Sequence, residues 1–198
     1  MQRKKVLALL LAVCLVFTAA ACKKQAKVSY QPANPNEEFV LQIYAAEELM
    51  AVMTDLTERY STVAPRASVV VNYDEGAVLA AKIEAGAPCD IYVSDEQSFM
   101  DWLDQECGEE KNPNHNDKIV SDTRHDIAEG PGNEKYMPED MQLAEGEVYT
   151  TTYSAAVCRA TGKPYESEMF ISFMLSEDVR DVYETYGFTQ AGEQTKGE

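Results

Sequence analysis

Short apolar runs and amphipathic stretches alternate along this chain. Residues 39–45, FVLQIYA, make a β-rich apolar run of strand length. Residues 47–61, EELMAVMTDLTERYS, follow with Leu49, Val52, Met53, Leu56 and Tyr60 at helical spacing. The same pairing recurs in ASVVVNY (67–73) with GAVLAAKIEAG (76–86), where Gly86 terminates the helix, and in CDIYVS (89–94) with EQSFMDWLDQEC (96–107). Strands that are apolar at nearly every position, joined by helices through short loops, predict an α/β fold. Its sheet is mostly parallel and covered on both faces, giving three layers, αβα.

The pattern then lapses. Residues 105–147 are charged, rich in Asn, Gly and Pro, and have little periodicity beyond a short KIVS, so they read as an irregular excursion. VYTTTYSAAVC (148–158) restores a β-branched and aromatic strand. In the helical stretch after it, Met169, Phe170, Phe173 and Met174 form one apolar face and Val179, Val182, Tyr183 and Tyr186 another. Ser176 is the natural N-cap between the two helices, and Gly187 the natural stop. These aromatic stripes are core packing rather than a cofactor box. The domain therefore runs over 39–188, and 189–198 is a frayed tail.

The ends set the address. Arg3, Lys4 and Lys5 precede an apolar run from Val6 to Ala21 that is too short and wrongly flanked for a membrane span, so 1–21 is a secretory signal. The run closes on TAAACKK, which resembles a bacterial lipobox with Cys22 as the acylated first residue of the mature protein. Ala19 and Ala21 also satisfy an ordinary signal peptidase, which would leave Cys22 unmodified. Residues 22–38 are polar, contain two prolines and suit a flexible tether. The whole chain has 17 basic and 34 acidic residues, a net charge of −17. Loss of the signal removes three basic residues and brings it to −20. Such a field disfavours nucleic acid and free oxyanions as partners and attracts cations.

The cysteines and histidines add little chemistry. Cys89, Cys107 and Cys158 remain in the domain, an odd number. Cys89 and Cys107 fall near one sheet edge, so they form either a disulfide or buried free thiols. His115 and His125 lie beside Asp117, Asp122 and Asp126 in the excursion, but donors in a solvated acidic loop are usually just that, and neither metal nor cofactor is expected. No nucleophile elbow or phosphate loop is present, and Lys82 of DEGAVLAAKI falls mid-helix. An enzyme is not expected.

LQIYAAEEL, GAVLAAKIEAGAPCDIYVSDEQSFMDWL and FISFMLSEDVRDVYETYGF together resemble the molybdate/tungstate-binding proteins of ABC importers. The turn Glu84-Ala85-Gly86-Ala87-Pro88-Cys89-Asp90 is the most specific piece. The resemblance implies a type II periplasmic-binding fold, a small solute held at the turns after the strands, delivery to an ABC permease, and a place on the extracytoplasmic face of the bacterial membrane. It also implies two lobes. About 42 residues separate Gln105 from Val148, too few for a second lobe when one βαβ unit takes about 30, so a single reduced lobe is expected. Two copies pairing to rebuild a cleft would follow from that open face.

The ligand turns implied are Ala46, Glu47 and Glu48; Asp74, Glu75, Gly76 and Ala77; and Ser94 with Asp95. Where the family presents serines to an oxyanion, this sequence has Glu48 and Asp74-Glu75. A carboxylate about 4 Å from a divalent oxyanion is repelled by several kcal/mol at an effective dielectric near 20, more than a helix dipole returns. Three readings of the acids stand. They can fill their own helix N-termini on a lobe that serves only as an interaction scaffold. They can converge on a cation or an amine-bearing solute. Or the backbone N–H groups can still bind a small solute.

Overall fold

The computed structural model describes residues 37–104 and 117–191. Six strands form one sheet: β1 (Phe39–Ala46), β2 (Ala67–Asp74), β3 (Ile91–Ser94), β4 (His125–Pro131), β5 (Thr150–Val157) and β6 (Thr189–Gln190), in the order β2-β1-β3-β5-β4-β6. Among the described residues five α-helices accompany them: α1 (Met50–Val63), α2 (Gly76–Glu84), α3 (Gln97–Leu103), α4 (Pro164–Met174) and α5 (Arg180–Thr185). Only the half of the sheet built from the regular strand–helix repeats is parallel, with β1 pairing β2 and β3. β5 runs antiparallel to β3 and β4, and β4 antiparallel to β6. The expected α/β class therefore stands, with a mixed sheet in place of a mostly parallel one.

Side-chain alternation along the strands divides the core in two. Leu41, Ile43 and Ala45 of β1 and Ile91 and Val93 of β3 join Val52, Met53, Leu56 and Tyr60 of α1 and the apolar stripe of α4 and α5 on one face. Tyr92 of β3 and Ala156 of β5 join Leu79, Ala80 and Ile83 of α2 and Met100 and Leu103 of α3 on the other. The three-layer arrangement follows. Tyr60 wedges between the helices of the first face, its ring centroid 4.9 Å from Phe170 and 5.0 Å from Phe173. Each such side chain contributes roughly 1.5–3 kcal/mol by leaving water.

Asp90, in the turn that enters β3, ties the lower end of the sheet together. Its Oδ2 accepts from the backbone N–H of Gln42 at 2.8 Å and from Lys163 Nζ at 3.4 Å, and its Oδ1 accepts from Thr161. Gly86 and Gly187 end their helices with φ of 88° and 79°, as their positions in the sequence suggest. Ser176 precedes a single 3-10 turn, Glu177–Val179, that leads into α5.

Two elements depart from the expected pattern. β4 lies inside the excursion, where the sequence HDIAEGP hides it. His125, Asp126 and Glu129 are exposed, and a register shift between Asp126 and Ala128 breaks the period of two that marks a strand. Thr189 and Gln190, assigned to the frayed tail, instead add β6 to the edge of β4. Gln190 is buried and its Nε2 donates to the carbonyls of Met174 and Ser176, each at 2.8 Å. Between β4 and β5 stand 18 residues carrying one 3-10 turn, Glu134–Tyr136, and no further strand. No helix among the described residues is long and apolar enough to cross a membrane.

Candidate functional site

The C-terminal ends of β1, β2 and β3 lie side by side at one edge of the sheet, since Ala46 pairs with Asp74 and Ala45 with Val93. Ligands of open α/β sheets sit at this edge. The three acidic turns do arrive there, but their side chains have different fates.

Three of the acids are spent internally. Asp74 accepts from the Glu75 backbone N–H at 3.0 Å and pairs with Lys82 Nζ at 2.8 Å, and these contacts, Lys82 first, lower its carboxyl below the usual range. Glu75, the N-cap of α2, pairs with Lys135 and receives Tyr136 Oη at 3.5 Å, both from the segment joining β4 to β5. Glu96 caps α3 by accepting from the Ser98 N–H at 3.3 Å. Ser94 is also occupied. Its hydroxyl donates to the Glu96 carbonyl and accepts from the Glu96 N–H and from Tyr92 Oη, all within 3.1–3.2 Å.

The other three acids are not spent. Glu47 and Glu48 occupy a single 3-10 turn, Glu47–Leu49, after Ala46, and neither carboxylate has a partner among the described residues. Asp95 is 3% exposed and its Oδ1 is buried without a hydrogen-bond partner. Burial first, then Glu48, with Glu96 and Glu47 adding smaller amounts, pushes its carboxyl up to about 6. Tyr153 of β5 lies in the same field: burial, then Glu48 and Asp95, raise its phenol, which donates to the Pro131 carbonyl. The backbone carbonyl of Asp95 accepts from Thr151 Oγ1 at 2.9 Å, which fixes the turn against β5.

Gly76 brings the α2 turn against Asp95. A Cβ there would lie 2.9 Å from Asp95 Oδ1 and 3.0 Å from Phe99, and the Gly76 carbonyl accepts from Tyr92 Oη at 2.9 Å. Ala77 lies farther round and lines a 440 Å³ cleft with Phe99 and Trp102. The expected residues thus divide. Ala46, Glu47, Glu48, Gly76 and Asp95 gather around the unpaired acids, Asp74 turns toward its own helix, and Glu75 closes on Lys135. Thr151, Tyr153, Lys135 and Tyr136 have no counterpart in the sequence reading. Only the β-branched and aromatic run of β5 signalled two of them, and no local pattern marks Lys135 or Tyr136.

Among the described residues no group of three or more His, Cys, Asp and Glu side chains comes close enough to hold a metal ion. His115 and Cys107 lie outside those residues, and Cys89 and Cys158 are free, buried thiols. The edge therefore carries separated negative charges, one of them, Asp95, buried.

Residues 41–131 match the family described as bacterial extracellular solute-binding protein. The fold is similar to a Clostridium difficile substrate-binding domain assigned to a molybdenum ABC transporter, at 19% identity and a TM-score of 0.58, over 76% of this chain and 98% of that one. It is similar to the periplasmic molybdate-binding protein of Azotobacter vinelandii at 10% identity and a TM-score of 0.55, over 75% and 98%. The sulfate-binding protein SubI of Mycobacterium tuberculosis follows at 8% identity and a TM-score of 0.55, over 78% and 88%. No curated protein matches the sequence.

Proposed function

We propose, from the match of residues 41–131 to the family described as bacterial extracellular solute-binding protein, that this chain is a lipid-anchored solute-binding protein of an ABC importer. It is held on the extracytoplasmic face of a bacterial membrane through Cys22, and its ligand edge takes a positively charged organic solute in place of an oxyanion. The observation that carries the choice of solute is Asp95. Its Oδ1 is buried with no donor facing it, while Glu47 and Glu48 beside it are also unpaired. A solute ammonium at this edge relieves the mutual repulsion of these carboxylates. A divalent oxyanion adds to that repulsion by several kcal/mol. The solute's other face is left to a permease or to a second copy of the chain, because the described residues form one sheet and one wall.

The scaffold reading, in which all six acids serve their own helices, loses ground on the same residues. Asp74 and Glu96 bond to their own helices and fit it; Glu75 spends its carboxylate on Lys135 instead, Glu47 and Glu48 sit in a first turn without a bonded partner among the described residues, and Asp95 is buried with Oδ1 unpartnered. Thermal unfolding of the purified protein separates the readings, since a ligand at one hundred times its Kd adds about 2.7 kcal/mol of stability. A linear diamine is expected to raise Tm, and molybdate, tungstate and sulfate to leave it unmoved. A rise with any of the oxyanions overturns the choice of solute, a rise with Ca²⁺ alone replaces the organic cation with a metal, and no rise at all returns the lobe to the scaffold reading.

A further inference from the structure

Cys89 and Cys158 lie where β3 and β5, antiparallel neighbours, come to their ends. Cys89 stands two residues before Ile91, and Cys158 immediately follows Val157, the partner of Ile91 in the ladder. The Cys158 N–H donates to the Asp90 carbonyl at 2.9 Å, so Cys158 sits opposite Asp90, one residue from Cys89. A bend at Asp90 turns Cys89 onto the same face as Cys158, and both join the cluster of Leu79, Tyr92, Met100 and Ile119. Cys89 is 5% exposed and Cys158 2%, and the Cys89 thiol donates to the Ile91 carbonyl at 3.1 Å. After burial, the Cys158 thiol is the largest influence holding the Cys89 thiol well above its ordinary range.

We propose that Cys89 and Cys158 close an intramolecular disulfide in the exported protein, stapling the parallel half of the sheet to its antiparallel half. The inference goes beyond solute binding and rests on the extracytoplasmic address alone. Adjacent chain segments on one face of an antiparallel pair lie within the reach of a disulfide, and exported proteins meet an oxidising compartment. The reaction is an exchange with a disulfide-bearing oxidoreductase. The two protein thiols give up two protons and two electrons, the protein S–S bond forms, and the oxidoreductase disulfide is reduced to its dithiol. A thiolate is the attacking species, and in the folded dithiol both sulfurs are buried, with burial holding the Cys89 thiol in its protonated form. The bond therefore forms while the chain folds, before α2 and α3 cover the site. Cys107 remains as the odd thiol.

Peptide mapping of the mature protein, exported to an oxidising compartment and alkylated under denaturing conditions without reductant, tests this. The expected result is one linked pair of peptides containing Cys89 and Cys158, lighter than the separate peptides by two hydrogens, with Cys107 alkylated. Alkylation of both Cys89 and Cys158, or a link from Cys89 to Cys107, overturns the proposal. Reduction is expected to lower the Tm of the native protein by about 10 °C, from the long loop the bond closes, and to leave Cys158→Ser unmoved. An equal fall in both proteins overturns it as well. Should the variant not fold, the map of the native protein decides alone. Neither readout depends on a ligand, so failure here is distinct from failure of the solute reading.

Discussion

Replacing Asp95 by Asn should make the protein more stable at neutral pH, although Asp95 is among the most buried polar residues of the chain. Burial and the neighbouring Glu48 raise its carboxyl from 3.8 to about 6. A carboxyl whose folded value lies above its unfolded one binds its proton more tightly in the folded state. Its favourable contribution is full below the unfolded value and is lost as pH rises through the folded value. The shift of about two units corresponds to at most about 3 kcal/mol lost between about pH 4 and pH 7. About 2 kcal/mol is the fairer figure, because Glu47 is exposed and Glu48 half-exposed, so solvent screens part of their repulsion. Asn keeps the shape and removes the charge. Urea unfolding of native and Asp95→Asn protein should therefore give a variant about 2 kcal/mol more stable near pH 7.5, a gain of about 4–8 °C in Tm, shrinking toward zero near pH 4. If the proposed cation site is right, the same variant should also lose the diamine response. A variant less stable than the native protein at pH 7.5, or a difference that does not change with pH, would refute the electrostatic account and make Asp95 an ordinary structural carboxylate.

Two further substitutions test the elements that the sequence pattern conceals. Gly130→Ala places a Cβ 2.1 Å from Phe188 Cδ1, against a ring held edge-on by Tyr153 at 5.6 Å, and should cost about 3 kcal/mol in urea unfolding; a loss below about 0.5 kcal/mol would mean that β4 does not pack under Phe188 as described. Gln190→Ala removes a buried amide that serves two carbonyls, and should cost about 2 kcal/mol, whereas a tail that truly frays would register nothing.

What the sequence made legible follows from where the physics is local. The β1–α1, β2–α2 and β3–α3 repeats are readable because the period of each element, its cap and its terminating glycine all lie within some fifteen residues. β4 is not readable, because only Ile127, Ala128 and Gly130 of its seven residues are buried and a bulge shifts their phase. β6 is two residues long and exists only through the edge that β4 offers it. The same division governs the site. The sequence shows six acids at three turns, but whether an acid is spent or unspent depends on long-range neighbours. Lys135 lies 60 residues from Glu75, and Thr151 lies 56 from Asp95. No window along the chain contains both members of either pair.

That division also bears on how a one-walled site can bind at all. Solute pockets usually enclose 70–90% of their ligand, and a single sheet edge covers at most about half. The missing enclosure has to be replaced by charge, and charge is effective only where it is both desolvated and unpaired. Lys82 and Lys135 neutralise the β2 turn, while β1 and β3, the inner strands of the parallel half, keep Glu48 and Asp95 bare. Of the unpaired acids Asp95 is buried, Glu48 half-buried and Glu47 exposed, while the two ion-paired acids, Asp74 and Glu75, lie at the turn after the edge strand β2. Asp95, buried with Oδ1 unpartnered at a cost in stability near neutral pH, is the residue on which the proposed cation site most depends.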